Sequence, residues 1–180
     1  QEPPRIVFAG RLMEQKNPVQ IVRSLATLKD LLWQCVIIGD GPLVKDVKAE
    51  IEENDLQERI SLTGWVTPED VLGWFSKSDI LFMPSLSEGL PVIGVQALAK
   101  GLAFVASDIG GFADIVDDRE NGFLVDRSNS SNFSNALREL LSDPARLRRF
   151  REASLNKASQ FDIAQVSEQY DGIFVEVPTF

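Results

Sequence analysis

The sequence predicts a doubly wound α/β domain: a parallel sheet covered by helices on both faces, with further helices at the C-terminal end. Its strand candidates are continuous apolar runs, such as Ile6-Val7-Phe8-Ala9, Cys35-Val36-Ile37-Ile38 and Ile80-Leu81-Phe82-Met83. Runs without alternation are buried on both faces, which is the condition of a parallel sheet between two helix layers. Stretches of helical period separate these runs, and Gly, Pro, Asn or Asp mark most changeovers. A chain of 180 residues can bury one sizeable core, so residues 1–180 are expected to form a single domain.

Each element has its own signal. Arg5 to Gly10 reads as a buried strand ending at glycine. Asn17-Pro18 then supplies a cap and a first-turn proline ahead of Val19, Val22, Leu25 and Ala26 at helical spacing. Cys35 to Ile38 is a second strand, stopped by Gly39-Asp40-Gly41-Pro42. A helix over Leu43 to Asn54 places Val44, Val47 and Ile51 on one face. Ile60 to Leu62 is a short third strand. Thr67-Pro68-Glu69-Asp70 resembles a capping box with Asp70 in the usual place of Glu, and it opens a helix carrying Val71, Leu72, Trp74 and Phe75. Ile80 to Met83 is the fourth strand, Pro91 to Lys100 a helix, and Phe104 to Ala106 the fifth strand. A short helix over Phe112 to Val116 precedes the sixth strand, Gly122 to Val125. The remainder reads as helices over Ser131–Ser142, Pro144–Ser159 and Ile163–Phe174, the second opened by Asp143-Pro144.

Composition excludes several functions. Eighteen Lys and Arg against 27 Asp and Glu give a net charge of −9, which argues against nucleic acid or an anionic membrane as the main partner. A phosphate site must then be built locally. The chain has no histidine, so it holds no Ser-His-Asp triad, histidine base or histidine metal ligand. Cys35 is the single cysteine and lies in an apolar run, as a buried inert thiol would. No apolar run approaches the roughly 18 residues that span a bilayer, and no signal peptide is present, so a reduced cytoplasmic setting is expected. The opening Gln1-Glu2-Pro3-Pro4 lacks methionine, as in a piece of a longer protein.

In such a sheet, ligands bind beyond the carboxyl ends of the strands where the winding reverses. That points to the loops after Gly10 and after Met83. The first carries Arg11 and Lys16 just before a helix start, where unpaired N–H groups favour an anion. The spacing is not that of a Gly-rich phosphate loop, nor of a dinucleotide fingerprint. Spacing alone leaves two readings open: a phosphate site, or two solvated surface charges. The second loop, Pro84-Ser85-Leu86-Ser87-Glu88-Gly89-Leu90-Pro91-Val92, runs into a helix with its backbone N–H groups aimed at the same crevice. Glu88 either compensates that helix dipole or faces something other than phosphate, such as sugar hydroxyls. An acidic receiver domain is disfavoured by Arg11 at the end of the first strand. Trp33, Trp65 and Trp74 read as packing residues, Asp117 to Glu120 as a solvated turn, and Arg146, Arg148, Arg149 and Arg151 as the wet face of a helix.

An ordered set of motifs resembles one family. The set is Gly10-Arg11-Leu12 with Lys16, Gly39-Asp40-Gly41-Pro42, Gly64-Trp65-Val66, Asp79 with Pro84-Ser85 and Glu88-Gly89, Ala97-Leu98-Ala99 with Gly101, and Gly110-Gly111 with Gly122-Phe123-Leu124-Val125. It is similar to the nucleotide-sugar half of group 1 glycosyltransferases, that is glycosyltransferase family 4, and the similarity runs from about residue 5 to 174. The resemblance implies the Rossmann-like C-terminal half of a GT-B enzyme, and retaining, metal-independent sugar transfer from a nucleoside diphosphate to an acceptor such as a growing glycan or lipid. It implies no cofactor.

Carried over by position, Arg11 and Lys16 hold the diphosphate and neutralise the leaving group, and Glu88 contacts donor hydroxyls near the reacting carbon. Gly10, Ser85 and the backbone of Gly89, Leu90, Pro91 and Val92 surround sugar and phosphate. Gly64, Trp65 and Val66 lie along the base. The motif's second acid, which binds ribose, is Gln96 here. The N-terminal acceptor domain has no counterpart in this chain, so the isolated domain is expected to be inactive. Any membrane-surface association of the full-length protein falls to that absent domain. The alternative is a non-catalytic module of the same fold, with Gln96 as its signal.

Overall fold

The computed structural model describes residues 2–89 and 91–161. Six parallel strands form one sheet in the order β3-β2-β1-β4-β5-β6. They are β1 (Arg5–Ala9), β2 (Gln34–Ile38), β3 (Ile60–Gly64), β4 (Ile80–Met83), β5 (Ala103–Ser107) and β6 (Gly122–Val125). The helices are α1 (Pro18–Ala26), α2 (Val44–Glu53), α3 (Pro68–Phe75), α4 (Val92–Ala99), α5 (Gly110–Ala113), α6 (Ser131–Ser142) and α7 (Pro144–Ala158). The doubly wound parallel sheet is the one that the apolar runs predict.

The central strands explain the architecture. Every residue of β4 and β5 is buried, as are Ile6 to Ala9 of β1. Only helices on both faces can cover such strands. Right-handed crossovers place the helices leading towards β3 and those leading towards β6 on opposite faces. In keeping with this, α1 packs against α2 and α6, while α4 packs against α7. Winding reverses between β1 and β4, whose carboxyl ends open side by side.

Several local expectations change in the structure. Asn17 does not cap α1 with its side chain. It already closes a 3-10 turn over Glu14–Lys16, with its N–H donating to the Glu14 carbonyl (2.9 Å) and its backbone left-handed (φ 49°), as Asn tolerates. Pro18 still opens the helix. Thr67 caps α3, accepting from the Asp70 N–H at 3.2 Å, but its hydroxyl donates to Asp70 Oδ2 at 2.9 Å. Asp is one methylene shorter than Glu, and its carboxylate stops at the hydroxyl. The short helix before β6 begins at Gly110, two residues earlier than the apolar pattern suggests.

Arg151 is not on a wet face. Its Nε donates to the Gly101 carbonyl (2.9 Å) and its guanidinium pairs with Asp79, whose other oxygen accepts from the Arg5 N–H (2.8 Å). That cluster pins α7 to the amino ends of β1, β4 and β5. Arg146 pairs with Glu139 and Asp143, whereas Arg148 and Arg149 are exposed as expected. Within the turn read as solvated, Asp117 pairs with Lys157. Trp33 is buried and donates to the Leu28 carbonyl, with Arg59 stacked 3.7 Å above its ring, while Trp65 is 75% exposed and packs in no core. The helix expected over Ile163–Phe174 lies outside the described residues. Among the described residues no helix is long and apolar enough to cross a membrane.

Candidate functional site

A cleft of about 720 Å³ lies beyond the carboxyl ends of β1 and β2, where α4 begins. Its floor is backbone. The sheet's hydrogen bonding continues past the strands: Gly10 N–H donates to the Ile38 carbonyl (3.0 Å), Leu12 N–H to Asp40 (2.9 Å), and Gly39 N–H to Gly64 (2.9 Å). Close approach is possible because the residues at 39 and 41 lack side chains. A β-carbon on Gly39, whose φ is +131°, would fall 2.0 Å from the Gly10 carbonyl oxygen. One on Gly41 would fall 2.4 Å from that of Leu12.

The two switch-point loops meet above this floor. Lys16 forms an ion pair with Glu88, 72 residues away in sequence. The Glu88 side chain is only 8% exposed and that of Lys16 21%. The residues just before Glu88 are tied on both sides. Leu86 N–H donates to the Gln15 carbonyl (2.7 Å), the Gln15 side chain donates to the Ser87 carbonyl (3.0 Å), and Arg127 donates to the Leu86 carbonyl (2.8 Å). Arg11 also lines the cleft and is exposed, and it has no ion-pair partner among the described residues.

Helix α4 starts at the same cleft, with its N-cap three residues after Glu88. Pro91 is its N-cap residue in extended conformation, and Val92 and Ile93 of the first turn line the cleft. A first turn carries N–H groups with no intrahelical acceptor and the positive end of the helix dipole. Two cations, these donors and one carboxylate therefore converge on one space. Such a space accepts an anion that also carries hydroxyl groups.

Residues 1–157 match the family of glycosyl transferases group 1. The chain belongs to that family. D-inositol 3-phosphate glycosyltransferase of Arthrobacter sp. (strain FB24) is 30% identical over 146 residues, which cover 78% of this chain and 35% of that protein. The crystal structure of Anabaena HepE in complex with UDP superposes with a TM-score of 0.87 at 21% identity, covering 98% of this chain and 50% of the other. A C-terminal domain of a group 1 family protein from Francisella tularensis, LpcC, superposes at 0.80 and 22% identity, covering 88% and 87%. Both structural likenesses are likenesses of fold. The chain spans about a third of the Arthrobacter protein and half of the Anabaena chain, and it has the fold of the GT-B C-terminal domain.

This group 1 glycosyl transferase domain gathers most of the residues singled out by their motifs. Gly10, Arg11, Lys16, Trp65, Val66, Glu88, Pro91 and Val92 all line the cleft. Trp65 stands at its rim. Gly64 serves beneath it through its carbonyl and a left-handed backbone (φ +72°). Ser85 is fully buried, and its hydroxyl has no hydrogen-bond partner among the described residues. The Gly89 carbonyl abuts Gly111 rather than facing the cleft. Gln96 sits half-buried on α4, one turn beyond Val92, and is not part of the cleft wall. Leu90 lies outside the described residues. Gly39, Asp40, Val71 and Ile93 line the cleft without having been singled out as site residues. The Gly39-Asp40-Gly41 turn was the available signal, since it ends the strand next to β1.

Proposed function

We propose that this chain is the donor-binding half of a retaining glycosyl transferase, which moves a sugar from a nucleoside diphosphate to an acceptor. The observation that carries this reading is the convergence of Arg11, Lys16, Glu88 and the start of α4 in one cleft. In the transfer, the bond between the anomeric carbon and the diphosphate oxygen breaks, a bond from that carbon to an acceptor hydroxyl oxygen forms on the same face, and the hydroxyl proton passes to the departing diphosphate. The leaving diphosphate gathers charge as it departs. Arg11, Lys16 and the first-turn N–H groups of α4 face the place where that charge collects, which is where stabilisation lowers a barrier most. Glu88 accepts from donor sugar hydroxyls, and Trp65 with Val66 flanks the base.

The full-length protein supplies the acceptor side from a second, N-terminal domain. A calorimetric panel of UDP, GDP, ADP and their glucose conjugates on this chain tests the reading. Binding of at least one nucleoside diphosphate and its conjugate is expected, with no sugar transfer by this chain alone. Absence of binding across the panel overturns it.

Gln96 favours one other reading, a binding module without catalysis, because the family motif has an acid there. Donor hydrolysis by the full-length protein separates the two.

A further inference from the structure

Glu88 occupies an unexpected position for a carboxylate in a cleft built for anions. It is nearly buried, and it neutralises one of the two cations that a phosphate would need. Its loop cannot simply carry it away. Leu86 and Ser87, immediately before it, are held by Gln15 from one side and Arg127 from the other. An anion reaching Lys16 must therefore displace the carboxylate while the backbone stays in place. A bare inorganic anion offers nothing in return. It would leave a buried carboxylate unpaired beside a second negative charge, in surroundings that screen poorly. A diphosphate that carries a sugar on its terminal phosphate can both take Lys16 and, through that sugar's hydroxyls, donate hydrogen bonds to the released carboxylate.

From this geometry we propose that Glu88 is a specificity-determining residue. It holds Lys16 as an internal counter-ion and yields it only to an anion whose attached hydroxyls replace that contact. Discrimination here comes from the penalty placed on the wrong ligand as much as from contacts to the right one. The inference rests on the nucleotide-sugar reading for the nature of the preferred ligand. The penalty on bare anions stands on Lys16 and Glu88 alone.

Calorimetric titration of the chain with inorganic pyrophosphate, UDP and UDP-glucose tests it, in the wild type, Glu88→Gln, Glu88→Ala, and Glu88→Gln combined with Lys16→Ala. Glu69→Gln, an exposed acid on α3 outside the cleft, controls for net charge. Removing the Glu88 charge is expected to tighten pyrophosphate and UDP by about tenfold. UDP-glucose should gain less, so the preference for the conjugate over UDP falls. The gain should vanish without Lys16 and be absent in Glu69→Gln. Pyrophosphate affinity that is unchanged or undetectable in natively folded Glu88→Gln or Glu88→Ala overturns the proposal. So does a gain that survives loss of Lys16. Failure of the nucleotide-sugar reading is distinct: pyrophosphate responds to Glu88→Gln while UDP and UDP-glucose bind no variant.

Discussion

The carbonyl oxygen of Gly89 lies so close to Gly111 that a β-carbon at position 111 would fall 1.6 Å from it. The loop that carries Glu88 is thus seated directly on the backbone of α5. Gly111→Ala must push one of the two away, and neither contact atom is a flexible side-chain end. Overpacking of this kind costs about 1–3 kcal/mol. We expect a Tm several degrees lower and nucleoside diphosphate binding weakened about tenfold or more, because the loop runs directly into the first turn of α4 at the cleft. Gly110→Ala, where an added β-carbon meets nothing within 4 Å, should change neither. Equal tolerance of both substitutions in thermal melts and titrations would contradict this seating.

Arg11 and Lys16 should respond differently to removal. Arg11→Ala deletes an exposed cation without an ion-pair partner among the described residues. It is expected to weaken UDP by about tenfold, the effect of one charge-assisted contact, with Tm unchanged. Lys16→Ala deletes the same kind of contact and also leaves the nearly buried Glu88 unpaired. It should cost more binding and lower the Tm as well. Wild-type affinity for UDP in the double variant would remove both residues from the site.

Gln96 offers a third test. Its side chain is half-buried and makes no hydrogen bond to other described residues, so its replacement should not disturb the fold. On the proposed donor-binding reading, Gln96→Glu offers ribose hydroxyls two charged acceptor oxygens from one turn beyond the cleft-lining Val92, where Gln has one neutral acceptor. The gain should be about 1 kcal/mol, several-fold in UDP affinity, with pyrophosphate unaffected and the ligand-free Tm unchanged. A fall in ligand-free stability of several kcal/mol would make Gln96 a structural amide instead.

Cys35 gives a ligand-independent check of the sheet. It is 3% exposed on β2, paired with Ile6 on one side and Ile60 on the other. Burial pushes its thiol pKa well above the ordinary cysteine value, so almost no reactive thiolate exists at neutral pH. Iodoacetamide should label it only as urea unfolds the chain, with labelling and far-UV circular dichroism following one curve. Rapid labelling in native buffer would refute its placement.

The sheet was legible in the sequence because its signals are collective. Four apolar residues at 80–83, short and bounded by Ser78-Asp79 and Pro84-Ser85, read as a strand buried on both faces, and Asn or Asp before Pro at 18 and 144 marks helix starts whatever the tertiary contacts. The site was legible as a set of residues but not as a set of bonds. Lys16 and Glu88 were each identifiable at the switch point, yet read as separate contacts to a ligand. Their mutual pairing depends on where two side chains point across 72 residues of sequence. Arg151 is misassigned to a wet face for a related reason. A basic residue on a helix is solvated by default, and only the fold brings Asp79 beneath it. Trp65, in turn, carries a large apolar ring in a loop, and composition alone assigns such a ring to packing. Its exposure follows from the turn at Gly64, which lifts it clear of the core.

The peptide-built floor sets a boundary on how this cleft can be redesigned. At positions 39 and 41 any side chain would strike a neighbouring carbonyl oxygen, so no choice of residue there can tune what is bound. The adjustable positions are on the rim, where Trp65 and Val92 stand 75% and 70% exposed. A combinatorial library seeking altered base or sugar preference should fix the glycines and randomise the rim. Variants with changed selectivity should then emerge without loss of folding, since the altered side chains support nothing beneath them.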